Sequence, residues 1–133
     1  MQDLVRAMSD IGHQTRADYH LTLGELIERL KGYPLSNIVA IDSGGYPYND
    51  HSYRGYYSDL AFESGEEPKT VAEFLCICKR ALNSTYEGYK GGDFVMDKDT
   101  PLWVSASGVN SNMAIMDIVE RGDEIVLITK VVK

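Results

Sequence analysis

The chain has 133 residues, a formal net charge of −7 and a pI of about 4.8, with 44% hydrophobic and 25% charged residues. This length and composition fit one globular domain with its own core, and they argue against disorder. The negative charge argues against DNA binding, because proteins bind duplexes through lysine and arginine side chains that neutralise phosphates. No apolar run approaches the roughly 20 residues of a membrane span, so we expect a cytoplasmic protein without membrane contact.

The first twenty residues differ from the rest of the sequence. Leu4, Met8 and Ile11 form a short apolar stripe at helical spacing, followed by a polar run. Residues 1–20 are therefore predicted to be an N-terminal arm or leader helix. Residues 21–133 are predicted to form a single α+β ligand-binding domain.

Two capping boxes mark the starts of two predicted helices. In each, a threonine caps a free backbone N–H and a glutamate three residues later reaches back: Thr22 with Glu25, and Thr70 with Glu73. Apolar residues at helical spacing follow, namely Leu23, Leu26, Ile27 and Leu30 in the first helix and Val71, Phe74, Leu75, Cys78 and Leu82 in the second. The second helix is expected to run to about Asn83 or a few residues beyond.

Short apolar segments, many of them β-branched, predict the strands. They are 37–42, 59–62, 94–96, 101–106, 113–120 and 124–132. We expect residues 59–62 to pair with residues 37–42, and the last two strands to form a hairpin through Arg121, Gly122 and Asp123. Helices among such strands predict an α+β fold, with a mostly antiparallel sheet and two main helices packed on one of its faces.

No group of residues in the sequence is typical of an enzyme. The candidate carboxylates are Asp42, Asp50, Asp59, Asp93, Asp97 and Asp99, with His51 beside one of them, and acidic residues in turns are more often caps. The three histidines lack ligand spacing, and Cys76 and Cys78 are expected to be reduced core residues. We therefore expect no catalytic residue, no metal and no cofactor.

Five of the nine tyrosines lie between Tyr46 and Tyr57, in a predicted loop around a single arginine. Aromatic rings stack on flat ligands while a guanidinium pairs with phosphate or carboxylate oxygens, so this composition predicts a site for a flat anion. A second predicted loop, the glycine-rich segment 86–93, has a similar combination of tyrosines and a basic residue. Residues 105–112 add small polar groups in a third predicted loop. The predicted ligand-binding residues are Tyr53, Arg54, Tyr56, Tyr57, Tyr89, Lys90, Trp103 and Asn110. The alternative is that residues 53–57 form a short strand, with one set of rings in the core and the arginine on the surface.

Five segments in this order resemble a group of small bacteriophage proteins: 21–27, 52–63, 70–73, 86–93 and 100–104. The run Ser-Tyr-Arg-Gly-Tyr-Tyr at 52–57 is the most specific of them. Within that group the chain is most similar to the first type of Thoeris anti-defence protein, over residues 21–132. The N-terminal twenty residues lie outside the resemblance.

The resemblance implies a function as a sponge for an immune signal. Such a protein binds a cyclic nucleotide of the cyclic ADP-ribose type in the host cell cytoplasm and sequesters it without cleaving it. Some members of the family also take up cyclic oligonucleotides at separate sites, as hexamers built from dimers. Cyclic ADP-ribose carries an adenine and a diphosphate, which suits tyrosines beside an arginine.

Two further expectations concern partners. The nearly continuous apolar run at 125–132 suggests that both faces of the last strand are covered, which favours a homo-oligomer, at least a dimer. The alternative function is that of a phage protein-interaction inhibitor of a host enzyme, whose acidic charge mimics nucleic acid. The acidic residues are scattered through the sequence, and this argues against mimicry.

Overall fold

The computed structural model of the protein describes residues 20–53, 56–88, 91–106 and 109–132. In chain order the elements are α1 (Leu23–Leu30), β1 (Ile38–Ile41), β2 (Tyr46–Tyr53), β3 (Tyr56–Gly65), β4 (Lys69–Thr70), α2 (Val71–Ala81), β5 (Thr85–Glu87), β6 (Asp93–Val95), β7 (Leu102–Ala106), β8 (Val109–Arg121) and β9 (Glu124–Val131). The predicted α+β class is confirmed. The arm predicted at 1–20 lies outside the described residues, except for His20. Neither helix that the structure describes is long and apolar enough to cross a membrane.

Seven strands form one sheet in the order β2-β3-β7-β8-β9-β1-β4, and β5 and β6 form a separate antiparallel pair. The large sheet is mixed, because the β3–β7 and β1–β9 pairs are parallel and the others are antiparallel. The expected pairing of residues 59–62 with 37–42 is wrong. β3 lies between β2 and β7, since only two residues separate β2 from β3 and such a short connection favours a hairpin.

Both helices begin at the predicted capping boxes. Thr22 and Glu25 exchange hydrogen bonds of 2.9 and 3.2 Å, and Thr70 and Glu73 exchange bonds of 3.0 and 3.1 Å. The second helix ends at Ala81, slightly before the predicted end. The physical reason is that Leu82 has an extended backbone and Asn83 a left-handed one, with a φ of 63°, so the chain turns out of the helix here.

The main hydrophobic core lies between the two helices and one face of the large sheet. Buried residues of both helices share one cluster with Leu60 and Phe62 of β3, while Ala61 belongs to a second cluster on the opposite face. The rings of Phe62 and Phe74 meet edge to face, with centroids 4.9 Å apart. Both helices therefore pack on one face of the sheet, as predicted. The smaller second cluster contains Tyr53, Ala61, Trp103, Ala114 and Val132.

Two segments predicted as loops, 46–58 and 105–112, are strands over most of their length. The first is the β2–β3 hairpin, in which tyrosines favour extended backbone and Pro47 is tolerated because β2 is an edge strand. The expectation that both cysteines are buried is half right: Cys78 is buried and Cys76 is exposed. Residues two apart on a helix point to different sides, so a single face cannot bury both.

Candidate functional site

The structure places the two tyrosine-bearing hairpins side by side. The ring of Tyr57, on β3, lies against the ring of Phe94, on β6, with centroids 5.6 Å apart and planes at 34°. The hydroxyl of Tyr86, on β5, donates a hydrogen bond to Asp50 Oδ2 on β2. The two segments that share an aromatic and glycine-rich composition therefore form one continuous surface, although they are distant in the sequence.

Tyr86 and Asp50 join the two hairpins where both side chains are half-buried. Burial and the hydrogen bond to Asp50 raise the pKa of Tyr86 above its ordinary value, so the phenol stays protonated and keeps donating near neutral pH. Burial, together with the charge of Asp50, also raises the pKa of the Cys78 thiol. The two hairpins are thus held together by a hydrogen bond whose donor stays protonated near neutral pH.

The turn of the β5–β6 hairpin packs on the ring of Phe94. Gly88 N–H donates to Gly92 O, and Gly91 N–H donates to Gly88 O, both at 2.9 Å. A Cβ added at Gly88 would lie 2.8 Å from Phe94 Cε2, so only glycine allows this approach. Phe94 is held between this turn and Tyr57, and the sequence-based set of site residues did not include it. Its position could have been inferred, because Tyr86 and Phe94 are the inward members of an alternating ribbon.

Tyr53 and Trp103 were predicted at the ligand surface, and the structure places them in the core. Their rings stack with centroids 4.3 Å apart and planes at 4°, and each residue is 1% exposed. Trp103 Nε1 donates to Asp59 Oδ2 at 2.7 Å, and the Tyr53 hydroxyl accepts from Asn112 N–H at 3.0 Å. The buried indole and phenol thus find polar partners beside the second cluster, and neither ring offers a free face in this structure.

The other predicted residues divide into two groups. Arg54, Tyr89 and Lys90 lie outside the described residues, and so do the side chains of Tyr56 and Asn110. The backbone places the last two opposite Tyr53 and Ser105 respectively in the sheet register. Among the predicted residues whose side chains are described, Tyr57 alone reaches the surface.

A row of polar residues crosses the sheet on the face that carries Ala61 and Trp103. His51 Nδ1 donates to Ser52 O at 3.0 Å, which leaves Nε2 to accept from the Ser105 hydroxyl at 2.9 Å. This arrangement resembles a general base beside a nucleophile, held by a third group. Ser105 is only 1% exposed, however, so we assign the pair a structural role: its hydrogen bond links β2 to β7 across β3. Sequence reasoning missed it because the partners are 54 residues apart.

Comparison of the chain with protein-family models, with curated proteins and with solved structures finds no match in any of the three. Among the residues that the structure describes, no group of three or more histidine, cysteine, aspartate or glutamate side chains could hold a metal ion. The protein has an α+β fold, and the two paired hairpins form its candidate ligand-binding surface.

Proposed function

We propose that the protein is a phage anti-defence protein that binds a cyclic nucleotide immune signal of the cyclic ADP-ribose type and sequesters it, uncleaved, in the host cell cytoplasm. The observation that carries this proposal is the contact between the two tyrosine-bearing hairpins, through Tyr57 with Phe94 and Tyr86 with Asp50. The resemblance of residues 21–132 to the Thoeris anti-defence family supports the choice of ligand.

The chemistry of this surface suits a nucleotide with a diphosphate. Tyr57 is half-exposed, and an aromatic ring stacked on a base contributes about 1–3 kcal/mol. Arg54 lies between β2 and β3 in the sequence, and Lys90 lies between β5 and β6. We assign the diphosphate to these two cations, because a guanidinium forms paired charge-assisted hydrogen bonds with phosphate oxygens.

A sponge must bind its signal tightly, and the hairpins have features that favour tight binding. Strands carry Tyr57, Tyr86 and Phe94, and the Tyr86–Asp50 hydrogen bond fixes one hairpin against the other. A surface that is already ordered loses little conformational entropy when the ligand binds.

We further propose that the protein is a homo-oligomer, a dimer that can assemble into a hexamer. The apolar run of the last strand does not require a partner, because Ile125, Val126 and Leu127 of β9 are already buried within one chain. Among the described residues, the aliphatic side chains left for a partner are Leu35, Val95 and Val131, which are 57%, 59% and 59% exposed. Light scattering at micromolar concentration tests this proposal, and a mass of 14.9 kDa for the species in solution would refute it.

The decisive experiment recovers the ligand after binding. The protein is incubated with cyclic ADP-ribose, separated from free ligand by gel filtration and denatured by heat, and the released nucleotide is identified by mass spectrometry. Intact cyclic ADP-ribose in stoichiometric amount is the expected result. A cleaved product would refute sequestration, and Ser105→Ala would then test the His51 pair as its source. Failure to retain any nucleotide, with a host enzyme captured stoichiometrically instead, would favour the protein-interaction inhibitor.

A further inference from the structure

An open cleft of about 710 Å³ lies between α1, the end of α2 and the turn at residues 97–99. Its apolar part comes from Leu21, Ile27 and Leu82. This volume is in the range of about 300–1,000 Å³ that is usual for small-molecule sites. None of the residues predicted to bind the nucleotide lines it. The cleft is therefore a separate feature of the molecule.

The walls of this cleft are fixed to each other by backbone contacts. Leu23 N–H donates to Thr100 O, and Gly24 N–H donates to Lys98 O, both at 2.9 Å. A Cβ at Gly24 would lie 2.9 Å from the backbone oxygen of Lys98, so the helix and the turn touch as closely as a glycine allows. These N–H groups in the first turn of α1 therefore bond to the protein itself, and the cleft is formed before any ligand binds.

The charge of the cleft differs from that of the whole protein. Four of the 13 lysine and arginine residues line it, against three of the 20 acidic residues, in a chain with a net charge of −7. All three acids already have partners: Glu25 accepts from Thr22 N–H, Glu28 pairs with Lys31 at 2.9 Å, and Asp99 pairs with Lys98 at 3.5 Å. The lining residues therefore sum to a charge of +1, on a molecule whose net charge is −7.

Lys79 is the lining cation that remains available. Arg29 is held by Asp117 at 3.0 Å and by Ile118 O at 2.6 Å. Lys79, on the last turn of α2, is exposed and makes no ion pair or hydrogen bond with the described part of the chain. A ligand with one acidic group can pair with this ammonium, whereas a ligand with several would also meet three carboxylates.

We propose that this cleft binds an amphiphilic organic anion. Its apolar body would pack on Leu21, Ile27 and Leu82 and on the methylene stems of the lysines, and its single acidic group would pair with Lys79. The site is distinct from the hairpin surface and takes a different class of ligand. The inference does not depend on the proposed nucleotide function.

Anilinonaphthalene sulfonate is a suitable probe, because it combines an apolar ring system with one negative charge. The full chain is titrated with it, and fluorescence and melting temperature are followed together. We expect saturable binding of one probe per chain with a rise in melting temperature, since a ligand that binds the folded state stabilises it. Absence of saturation, or a fall in melting temperature, would overturn the proposal.

Matched charge reversals locate the probe. Lys79→Glu is expected to weaken binding by about five- to tenfold, because it replaces an attractive charge by a repulsive one. Lys130→Glu makes the same change on β9, at an exposed lysine outside the cleft, and should leave binding unchanged. Equal affinities in the two variants would overturn the proposal. Lys79→Met, which keeps an apolar stem of similar length without the charge, should give an intermediate loss.

Competition separates this site from the nucleotide site. Excess cyclic ADP-ribose should leave the fluorescence of the bound probe unchanged, and Lys79→Glu should retain cyclic ADP-ribose as well as the unmodified protein does. Displacement of the probe by the nucleotide would mean that the cleft is the nucleotide site, which refutes a second ligand class. Failure of the unmodified protein to bind cyclic ADP-ribose would count against the proposed function alone and would leave the proposed cleft ligand untouched.

Discussion

Replacing Tyr86 by phenylalanine removes one hydroxyl, the one that donates to Asp50 and joins the two hairpins. A hydrogen bond to a charged acceptor contributes about 1.5–3 kcal/mol to stability. Both side chains are half-buried, so water can replace part of the lost bond, and we expect the lower end of that range. For a chain of this length, each kcal/mol corresponds to a fall in melting temperature of about 3–5 °C.

A double-mutant cycle measures the interaction directly. The free energy of unfolding is determined by urea denaturation for the unmodified protein, Tyr86→Phe, Asp50→Asn and the double variant. We expect a coupling energy of about 1 kcal/mol or more, and weaker binding of the nucleotide in each single variant because the hairpins separate. Tyr48→Phe is the matched control, since its side chain is exposed and should change stability by less than about 0.5 kcal/mol. Zero coupling would refute the proposed link between hairpins.

The same pair predicts a dependence on pH. The pKa of Tyr86 is raised in the folded state, so its contribution to stability is fully present below the unfolded pKa of about 10. That contribution is lost as the pH rises above this value toward the raised pKa. The stability difference between the unmodified protein and Tyr86→Phe should therefore be constant from about pH 6 to 9 and shrink above about pH 10. A difference that changed between pH 6 and 9 would contradict this assignment.

Substitutions of Arg54, Trp103 and Gly88 test the remaining assignments. Arg54→Ala should weaken nucleotide binding by about 1.5–3 kcal/mol without lowering the melting temperature, and Arg54→Lys should recover part of the loss; normal affinity in a less stable protein would contradict this. Trp103→Phe removes the indole donor to Asp59 and should lower the free energy of unfolding by about 1–3 kcal/mol while the folded variant keeps its affinity. Calorimetry showing lost affinity at unchanged stability would place Trp103 at the ligand instead. Gly88→Ala drives a methyl group into the Phe94 ring, so both melting temperature and affinity should fall, whereas Gly32→Ala, with its nearest neighbour at 3.4 Å, should be mild.

Local signals in the sequence predicted the helices well. Each capping box is a contact between residues three apart, and the structure contains both. The hairpin through Gly122 was also predictable, because a glycine between two apolar segments suits a tight turn, and its φ in the structure is 62°. These features depend on near neighbours, which a sequence displays directly.

The candidate site depended on contacts that a sequence does not display. Glycine and tyrosine suggested a loop at 46–58, but pairing with β3 makes that segment a strand. Whether a tyrosine faces a ligand or the core depends on the side chains of the other strands in the sheet. Tyr53 of β2 stacks on Trp103 of β7, although β3 lies between these two strands. Composition therefore indicated which segments are rich in aromatic residues, and it could not assign the individual rings to the surface or to the core.

The parallel pairing of β1 with β9 has a consequence for how the chain folds. Ile38 lies opposite Glu124, so a strand near the start of the domain acquires its long partner only when residues 124–127 are available. The other neighbour of β1 is the two-residue strand β4, which cannot hold it alone. Such distant pairings slow folding, because loop closure reduces chain entropy before the contacts form. We expect refolding on the millisecond-to-second scale, and a nascent chain that has not yet exposed β9 outside the ribosome should remain without its core.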